Sequence, residues 1–378
     1  MPNFNGTLRP NEIFAGLFNM IISQQVFADN IEGASSALVD KARVDGTLYG
    51  DTKLFYASDA LHSKEWLNDL EAQNLLVLHR PAAPKCQAIY LDTFRQISLT
   101  VDNYLSKRAW ADETAFSQFQ SVMLGWIRDT KKIYDITLYN SYIGTTETNI
   151  GRQQIPVALP AEPSADASEA DLESYSRREA QIIATTIADL LVDLKDVTRD
   201  FNDYKHIRAF NEDVLQVVWN SEWVNKIRKL DMPTIFHKDG LMDKFDEDVM
   251  PARFFGTVNA AGGTVGGTNL TIRSLVEKDY NTVAPTSPDY DPAKYVYPGD
   301  LLPAGAVYLA NETYTTDENI ICKIMHRRSV PFMSAFEVAT SWFNAKSLTE
   351  NYYLTWGHNT LEYLKNYPFV TVRKSVTA

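Results

Sequence analysis

Residues 111–143 read ADETAFSQFQSVMLGWIRDTKKIYDITLYNSYI. Phe116, Phe119, Met123, Trp126, Thr130, Ile133 and Thr137 recur at alternating steps of three and four, with Val122, Ile127, Tyr134 and Leu138 beside them. This spacing predicts a long helix with one broad apolar face. Ser117, Ser121, Arg128, Lys131, Lys132 and Asp135 fall mostly on the opposite side. Asp112 is placed to cap the first free N–H groups, Glu113 sits at the positive end of the helix dipole, and Gly144 is the expected stop. Such a helix is a rod of roughly 45 Å, longer than the usual three or four turns. A rod of that length is expected to span something.

Downstream, residues 145–170 carry Pro156, Pro160 and Pro163 among small residues and read as a linker. A second helix is expected over 171–197, burying Ile183, Ile187, Leu190, Leu191, Leu194 and Val197. Residues 214–219 read as a buried strand, after which Asn220 caps a short helix that buries Trp223, Val224, Ile227 and Leu230 before Pro233 ends it. Helix, strand, helix in that order predicts an α+β domain with helices flanking a sheet. Residues 241–319 are loop-rich, with AAGGTVGG at 260–267 and a Pro- and Tyr-rich run over 285–303. Strands are expected at 320–325, 332–340, 351–356 and 368–372.

Upstream, 58–70 reads as a short helix around Leu61, Trp66, Leu67 and Leu70, and 75–78 as a strand. Residues 88–104 read as one or two strands, with ISLTVDNY from Ile97 showing the two-residue period of a half-buried sheet. The segment 47–104 is thus a two-stranded excursion ahead of the rod. Before it, 1–46 carries Ile13, Phe14, Leu17, Phe18, Ile21 and Ile22 in an amphipathic pattern that must dock on its own body or on a neighbour.

The 378 residues suffice for a core of their own, and 19 Tyr, 18 Phe and 7 Trp favour large packed contacts over disorder. A net charge of -12 and a pI near 5.0 exclude a sequence-independent grip on nucleic acid, which needs a basic surface. The first residues, MPNFNGTLRPNEIF, lack the basic and apolar blocks of a signal peptide, and no apolar run reaches the ~20 residues of a membrane span, so a cytosolic chain is expected. Cys86 and Cys322 have neither metal-ligand spacing nor enough partners for a disulfide framework, and read as reduced thiols. The sequons at Asn5, Asn269 and Asn311 carry no meaning without secretion.

Candidate chemistry is thin. Asp239, Asp243, Asp246, Glu247 and Asp248 lie close to His237, a set from which a divalent-metal site is conceivable, but the Asp-x-Asp-x-Asp-Gly order of a calcium loop is missing and a solvated face is the plainer reading. Gly262, Gly263, Gly266 and Gly267 lack the Lys-Ser or Lys-Thr ending of a phosphate loop and read as a surface loop. His62, His79, His206, His237, His326 and His358 belong to no His-Glu-x-x-His helix, and no Gly-x-Ser-x-Gly elbow is present. Arg327 and Arg328 form a compact basic spot that reads as a rim salt bridge. The charges of Asp51, Lys53, Lys64 and Glu65 sit on the excursion, where they serve either contact with a neighbouring subunit or solubility.

The order of these pieces, with Phe94-Arg95-Gln96 on the return limb of the excursion, Ala115-Phe116 and Phe119 at the head of the rod, Asn140-Ser141-Tyr142 at its foot, and Asn351-Tyr352-Tyr353 with Trp356 near the end, resembles the major capsid proteins of tailed bacteriophages. These have the Johnson or Hong Kong 97 fold, an α+β architecture, and the chain looks nearest to those of small short-tailed phages and related gut phages. The resemblance implies an N-terminal arm (1–46), an extended loop (47–104), a peripheral domain with a spine helix (105–170), an axial domain (171–319) and return strands completing the peripheral domain (320–378). It implies a structural subunit that self-assembles as pentamers and hexamers into an icosahedral head around double-stranded DNA, without sequence-specific DNA binding, membrane contact, cofactor, metal or catalytic residue. It also implies a virion protein assembled in the host cytoplasm with a separate scaffolding protein, a portal and minor head proteins. Lys53, Lys64 and Lys85 lie where some members cross-link, but no reactive partner is marked, and that chemistry is not expected here. The rival readings are an encapsulin-type compartment shell, a metal-dependent hydrolase using Asp239, Asp243 and His237, and an adhesive tail protein, which the long helices oppose.

Overall fold

A computed structural model describes residues 37–45, 52–61, 63, 65, 78, 80–102, 113–164, 166–228, 246–259, 279–280, 288, 295–296 and 313–375. In chain order these form α1 (Ala37–Ala42), β1 (Arg43–Asp45), β2 (Thr52–Ala57), β3 (Lys85–Asp102), α2 (Glu113–Thr145), β4 (Gln154–Ala158) and α3 (Glu169–Lys195). Then follow β5 (Leu215–Asn220), α4 (Ser221–Arg228), β6 (Asp246–Met250), β7 (Gly256–Asn259), β8 (Asp279–Tyr280), β9 (Tyr295–Val296) and β10 (Thr313–Thr316). The chain closes with β11 (Ile320–His326), β12 (Phe332–Asn344), β13 (Thr349–Asn359) and β14 (Phe369–Ser375).

Two five-stranded sheets organise the molecule, in the orders β1-β12-β13-β3-β2 and β4-β14-β11-β5-β6. The second is a core sheet, and every residue of β5 and β11 is buried. One of its faces meets α3 through Ile183, Ile187, Leu190, Leu191 and Leu194, packed with Val217, Ile324, Val370 and Val372. The other meets the last turns of α2, where Leu138, Tyr139 and Ile143 pack with Val218, Met325 and Phe369. The first sheet rests on the middle of α2, with Ile127 and Tyr134 against Leu354 and Trp356. One helix thus underlies both sheets. At 33 residues it is about 50 Å long.

The helix matches the expected length, but its contact face is turned by about one residue from the expected stripe. Ile127, Asp135, Leu138, Tyr139 and Ile143 are buried, whereas Trp126 is 47% exposed and Thr130 is exposed. Asp135, expected outside, is buried because Arg43 of β1 reaches it at 3.2 Å. Gly144 does not stop the helix, which runs on to Thr145. It is needed for close approach, since a Cβ there would lie 1.8 Å from the Phe254 carbonyl oxygen. The proposed Asp112 cap lies outside the described residues.

Other expectations are corrected in part. The linker over 145–170 contains β4, which pairs in parallel with β14; Pro156 is tolerated there because β4 is an edge strand and its missing N–H breaks no ladder. The helix expected from Asp171 begins at Glu169, capped by the Ser168 hydroxyl, which accepts from the Asp171 N–H, and Val197 beyond its end is 66% exposed. Residues 58–61 take no helical form; most of the helix expected there, and the strand at 75–78 apart from Leu78, lie outside the described residues. Asn220 does cap α4, accepting from the Glu222 N–H at 3.1 Å, and Trp223 and Val224 are buried, while the side chains of Ile227 and Leu230 lie outside the described residues. Neither cysteine forms a disulfide; Cys86 is exposed and Cys322 buried.

The carbonyl end of α2 is received by Lys323 of β11, a fully buried lysine whose Nζ donates to Gly144 O at 3.0 Å and Thr146 O at 2.6 Å. Helix ends leave carbonyls without partners, and a cation is favoured at that end of the dipole. Burial pushes the amine down to about 7, with Glu147 opposing the fall. The unfolded chain therefore holds a proton on this lysine between pH 7 and 10.5 that the folded chain does not, and its contribution to stability grows as pH rises through that window. The difference in urea-unfolding free energy between wild type and Lys323→Met should widen in favour of wild type between pH 7 and 10, by on the order of 2–4 kcal/mol. A constant difference would mean that the amine titrates alike in both states.

Candidate assembly surface

Strand β3 is 18 residues long, about 60 Å if extended, and pairs from Leu91 to Asp102 with β13. β1 runs beside β12 only at Phe332–Ser334, and β2 beside β3 only at Lys85–Tyr90. Beyond those short pairings the sheet narrows to a three-stranded ribbon, β12-β13-β3, with no described strand along either outer edge. Open edges carry unpaired N–H and C=O groups and are templates for pairing with another chain.

The ribbon has two unlike faces because side chains alternate along each strand. Ile97, Leu99, Tyr352, Leu354 and Trp356 point to α2. On the opposite face Thr100 Oγ1 donates to Asn351 Oδ1 at 2.6 Å and Gln96 Nε2 to Thr355 Oγ1 at 3.0 Å. That face also presents Phe94, Val338 and, near the turn, Trp342, which is 69% exposed. Phe343 and Leu348 are exposed at the same turn. The β2–β3 hairpin continues the outer face with Leu54, Tyr56 and Tyr90, all exposed. Aromatic side chains displayed in this way mark contact surfaces.

Both limbs of the excursion are pinned at its base. After β2, Asp59 Oδ1 accepts from Ile207 N–H at 2.8 Å and Oδ2 from Arg199 at 2.6 Å, while Arg208 donates to Ser58 O at 2.6 Å. The Ile207 N–H, then the Arg199 guanidinium, hold the Asp59 carboxyl well below the usual carboxylate range. On the return limb, Gln87 donates to Tyr363 O at 3.0 Å and accepts from Lys365 N–H at 3.1 Å.

No protein-family model matches the chain, and no curated protein matches it. Solved structures do. A chain of the capsid structure of Staphylococcus phage Andhra aligns with a TM-score of 0.56 at 9% identity, covering 100% of this chain and 88% of that one. A chain of the structure of the head fiber and inner core protein gp22 of native bacteriophage P68 aligns with a TM-score of 0.60 at 8% identity, covering 99% and 89%. The chain shares the fold of these phage proteins. At such identities the likeness is one of architecture, and it spans the whole length.

Most of the residues singled out for chemistry lie outside the described residues, and those that are described serve structural contacts. His237, Asp239, Asp243 and the four glycines at 262–267 lie outside the described residues, as do His62, His79 and Lys64. Asp246, Glu247 and Asp248 lie in β6, paired with β5, and Asp248 accepts from Lys41 at 2.8 Å and Gln216 at 2.6 Å, a structural role. Among the described residues no three His, Cys, Asp or Glu converge as metal ligands. Lys53 and Lys85 sit on β2 and β3 at the base of the excursion. His206 lies 3.3 Å from Asn366 Oδ1. His326 stacks on Tyr367 at 4.2 Å and its Nδ1 accepts the Arg328 N–H at 3.0 Å, while burial, then Arg328, push its pKa down to about 4. The Arg327 N–H donates to Val214 O at 2.9 Å.

Sequence reasoning passed over Asp59, Arg199 and Arg208, which lie in no motif and meet only through folding. Asp59→Ala should leave the Ile207 N–H without its acceptor and speed its hydrogen exchange at least about tenfold, the scale of one lost hydrogen bond. Exchange within β13 should stay unchanged. Equal exchange at Ile207 in both proteins would show that the clasp does not hold.

Proposed function

We propose that this chain is the major capsid protein of a tailed bacteriophage, a non-enzymatic subunit that assembles as pentamers and hexamers into an icosahedral head around double-stranded DNA. The observation that carries the reading is the ribbon: an aromatic outer face and two edges along which no described strand runs, on a long helix, in a fold shared over nearly the full chain with phage proteins. A compact monomer has no use for such a surface. A shell subunit has, because closed shells need one chain to make many symmetric contacts.

In the Hong Kong 97 description, 1–46 is the arm, 47–104 the extended loop, 105–170 the peripheral part with α2 as spine, and 171–319 the axial part. The segment 320–378 supplies the return strands that complete the peripheral part. The nearest kin by this reading are the small short-tailed phages and related gut phages. Its partners are further copies, a separate scaffolding protein, a portal and minor head proteins, with assembly in the host cytoplasm and a final place in the virion. The acidic balance of -12 suits a lining that lets packaged DNA move, since DNA binding requires cationic neutralisation.

Sedimentation and negative-stain imaging of the purified chain at high concentration, alone and with its scaffolding protein, test the proposal. Rings, tubes or closed shells tens of nanometres across are expected. Trp342→Ser with Tyr56→Ser, both exposed in the monomer, should leave the thermal midpoint within about 2 °C, as surface changes usually do, while raising the concentration needed for assembly at least about tenfold. Shells filled with a protein cargo and no DNA in infected cells would shift the reading to a compartment shell. A chain that stays monomeric with the scaffold present would overturn both.

A further inference from the structure

Where α2 crosses the first sheet, three polar side chains from three elements form a hydrogen-bonded chain inside an otherwise apolar contact. Arg95 Nε of β3 donates to Tyr134 Oη of α2 at 3.1 Å. Tyr134 Oη lies 2.9 Å from His358 Nε2 of β13, and His358 Nδ1 lies 2.9 Å from Asn359 O. A carbonyl only accepts, so the ring proton is on Nδ1, Nε2 is the acceptor, and the Tyr134 hydroxyl donates to it. Every proton points the same way along the chain. We infer that Arg95, Tyr134 and His358 are a proton-sensitive latch that holds α2 to the ribbon while His358 is neutral and releases it when the imidazole takes a second proton.

The geometry sets this polarity. A proton added at Nε2 turns that atom from acceptor into donor, so the Tyr134 oxygen faces two donors, Arg95 and His358, and its own O–H loses its acceptor. The site offers no easy rearrangement. His358 is 2% exposed, its ring lies 5.8 Å from Phe332 at 26°, and Tyr134 is set edge-on to Trp356 at 5.7 Å. An imidazolium would also sit near Arg95, whose guanidinium lies 5.5 Å from the Tyr134 ring centroid.

From β3, Arg95 opposes protonation and Asp92 favours it, although Asp92 is already engaged by Thr360 N–H at 2.7 Å and its hydroxyl at 2.8 Å. From α2, Asp135 is paired with Arg43 of β1, and Lys131 with Glu337 of β12 at 2.8 Å. Arg43 also lies over the Phe332 ring, 5.8 Å from its centroid. Burial foremost, with Arg95 adding to it against the Asn359 carbonyl, pushes the histidine below its ordinary value. The unfolded or unlatched chain thus binds this proton more readily than the latched one, and the latch weakens as pH falls below about 6.5. What is released is the contact between α2 and the ribbon.

Hydrogen exchange of the full chain at pH 7.5 and pH 5.0, corrected for intrinsic rates, tests this. In wild type, peptides covering 127–138 and 352–359 should lose at least about tenfold protection at pH 5.0, with α3 unchanged. His358→Gln keeps a neutral acceptor and should hold its pH 7.5 protection at pH 5.0, whereas Tyr134→Phe should be poorly protected in these peptides at both values. His326 is common to all three proteins and lies in the other sheet, so it cannot produce the contrast. Should His358→Gln not fold, NMR of the wild-type ring decides: a neutral Nδ1–H tautomer at pH 7.5, titrating together with the loss of protection, supports the latch. Equal protection of wild type at both pH values, the same loss in His358→Gln, or a ring that titrates apart from the exchange change would overturn it.

Discussion

The seating of α2 is the constraint on which the rest depends. Its final turns lie under one sheet and its middle under the other, so the angle between the two layers is set by how firmly its end is held. Lys323 holds it, offering an ammonium or amine to two terminal carbonyls from the centre of a buried strand. A buried lysine is costly, and it is offset here because the helix end would otherwise carry orphan acceptors into the same apolar layer. Gly144 belongs to the same device, since only a residue without a Cβ lets the helix meet the Phe254 carbonyl.

From that fixed helix the ribbon extends as a lever held at a few points. Apolar contact through Ile127, Leu354 and Trp356 supplies most of the attachment, and the polar chain through Tyr134 supplies its direction. At the base, Asp59 and Gln87 tie the two limbs of the excursion to separate loops of the core body. Gly357 leaves room for its cross-strand neighbour: a Cβ there would come within 2.8 Å of the Phe94 ring.

The secondary structure was largely legible because its signals are periodic. The helix over 113–145, the helix over 169–195 and the four C-terminal strands all announce themselves by apolar spacing. The face of α2 was read one residue off because Trp126 and Thr130 fit an apolar stripe equally well, and Lys131 together with Arg43, 92 residues away, makes burial of Asp135 tolerable. β4 was hidden by its proline, which is allowed on an edge and reads as a linker in isolation. Lys323 and the Asp59 clasp were invisible for a related reason: their partners are mostly backbone groups, which leave no mark on the sequence, and Arg199 meets Asp59 only through folding. His358 appeared as one of six unmotivated histidines, since its role comes from a tyrosine 224 positions away.

The two outer edges of the ribbon, along which no described strand runs, are unlike each other, one built from AFEVATSWFN and the other from the LDTFRQISLTVD limb. An association that joins unlike edges consumes one of each and leaves one of each, so every added copy presents the same offer as the last. Such growth has a direction, and it stops only when a fixed rotation brings the last copy back to the first. A pairing of like edges would end at two. The asymmetry of one small sheet therefore separates a molecule that makes pairs from one that makes rings.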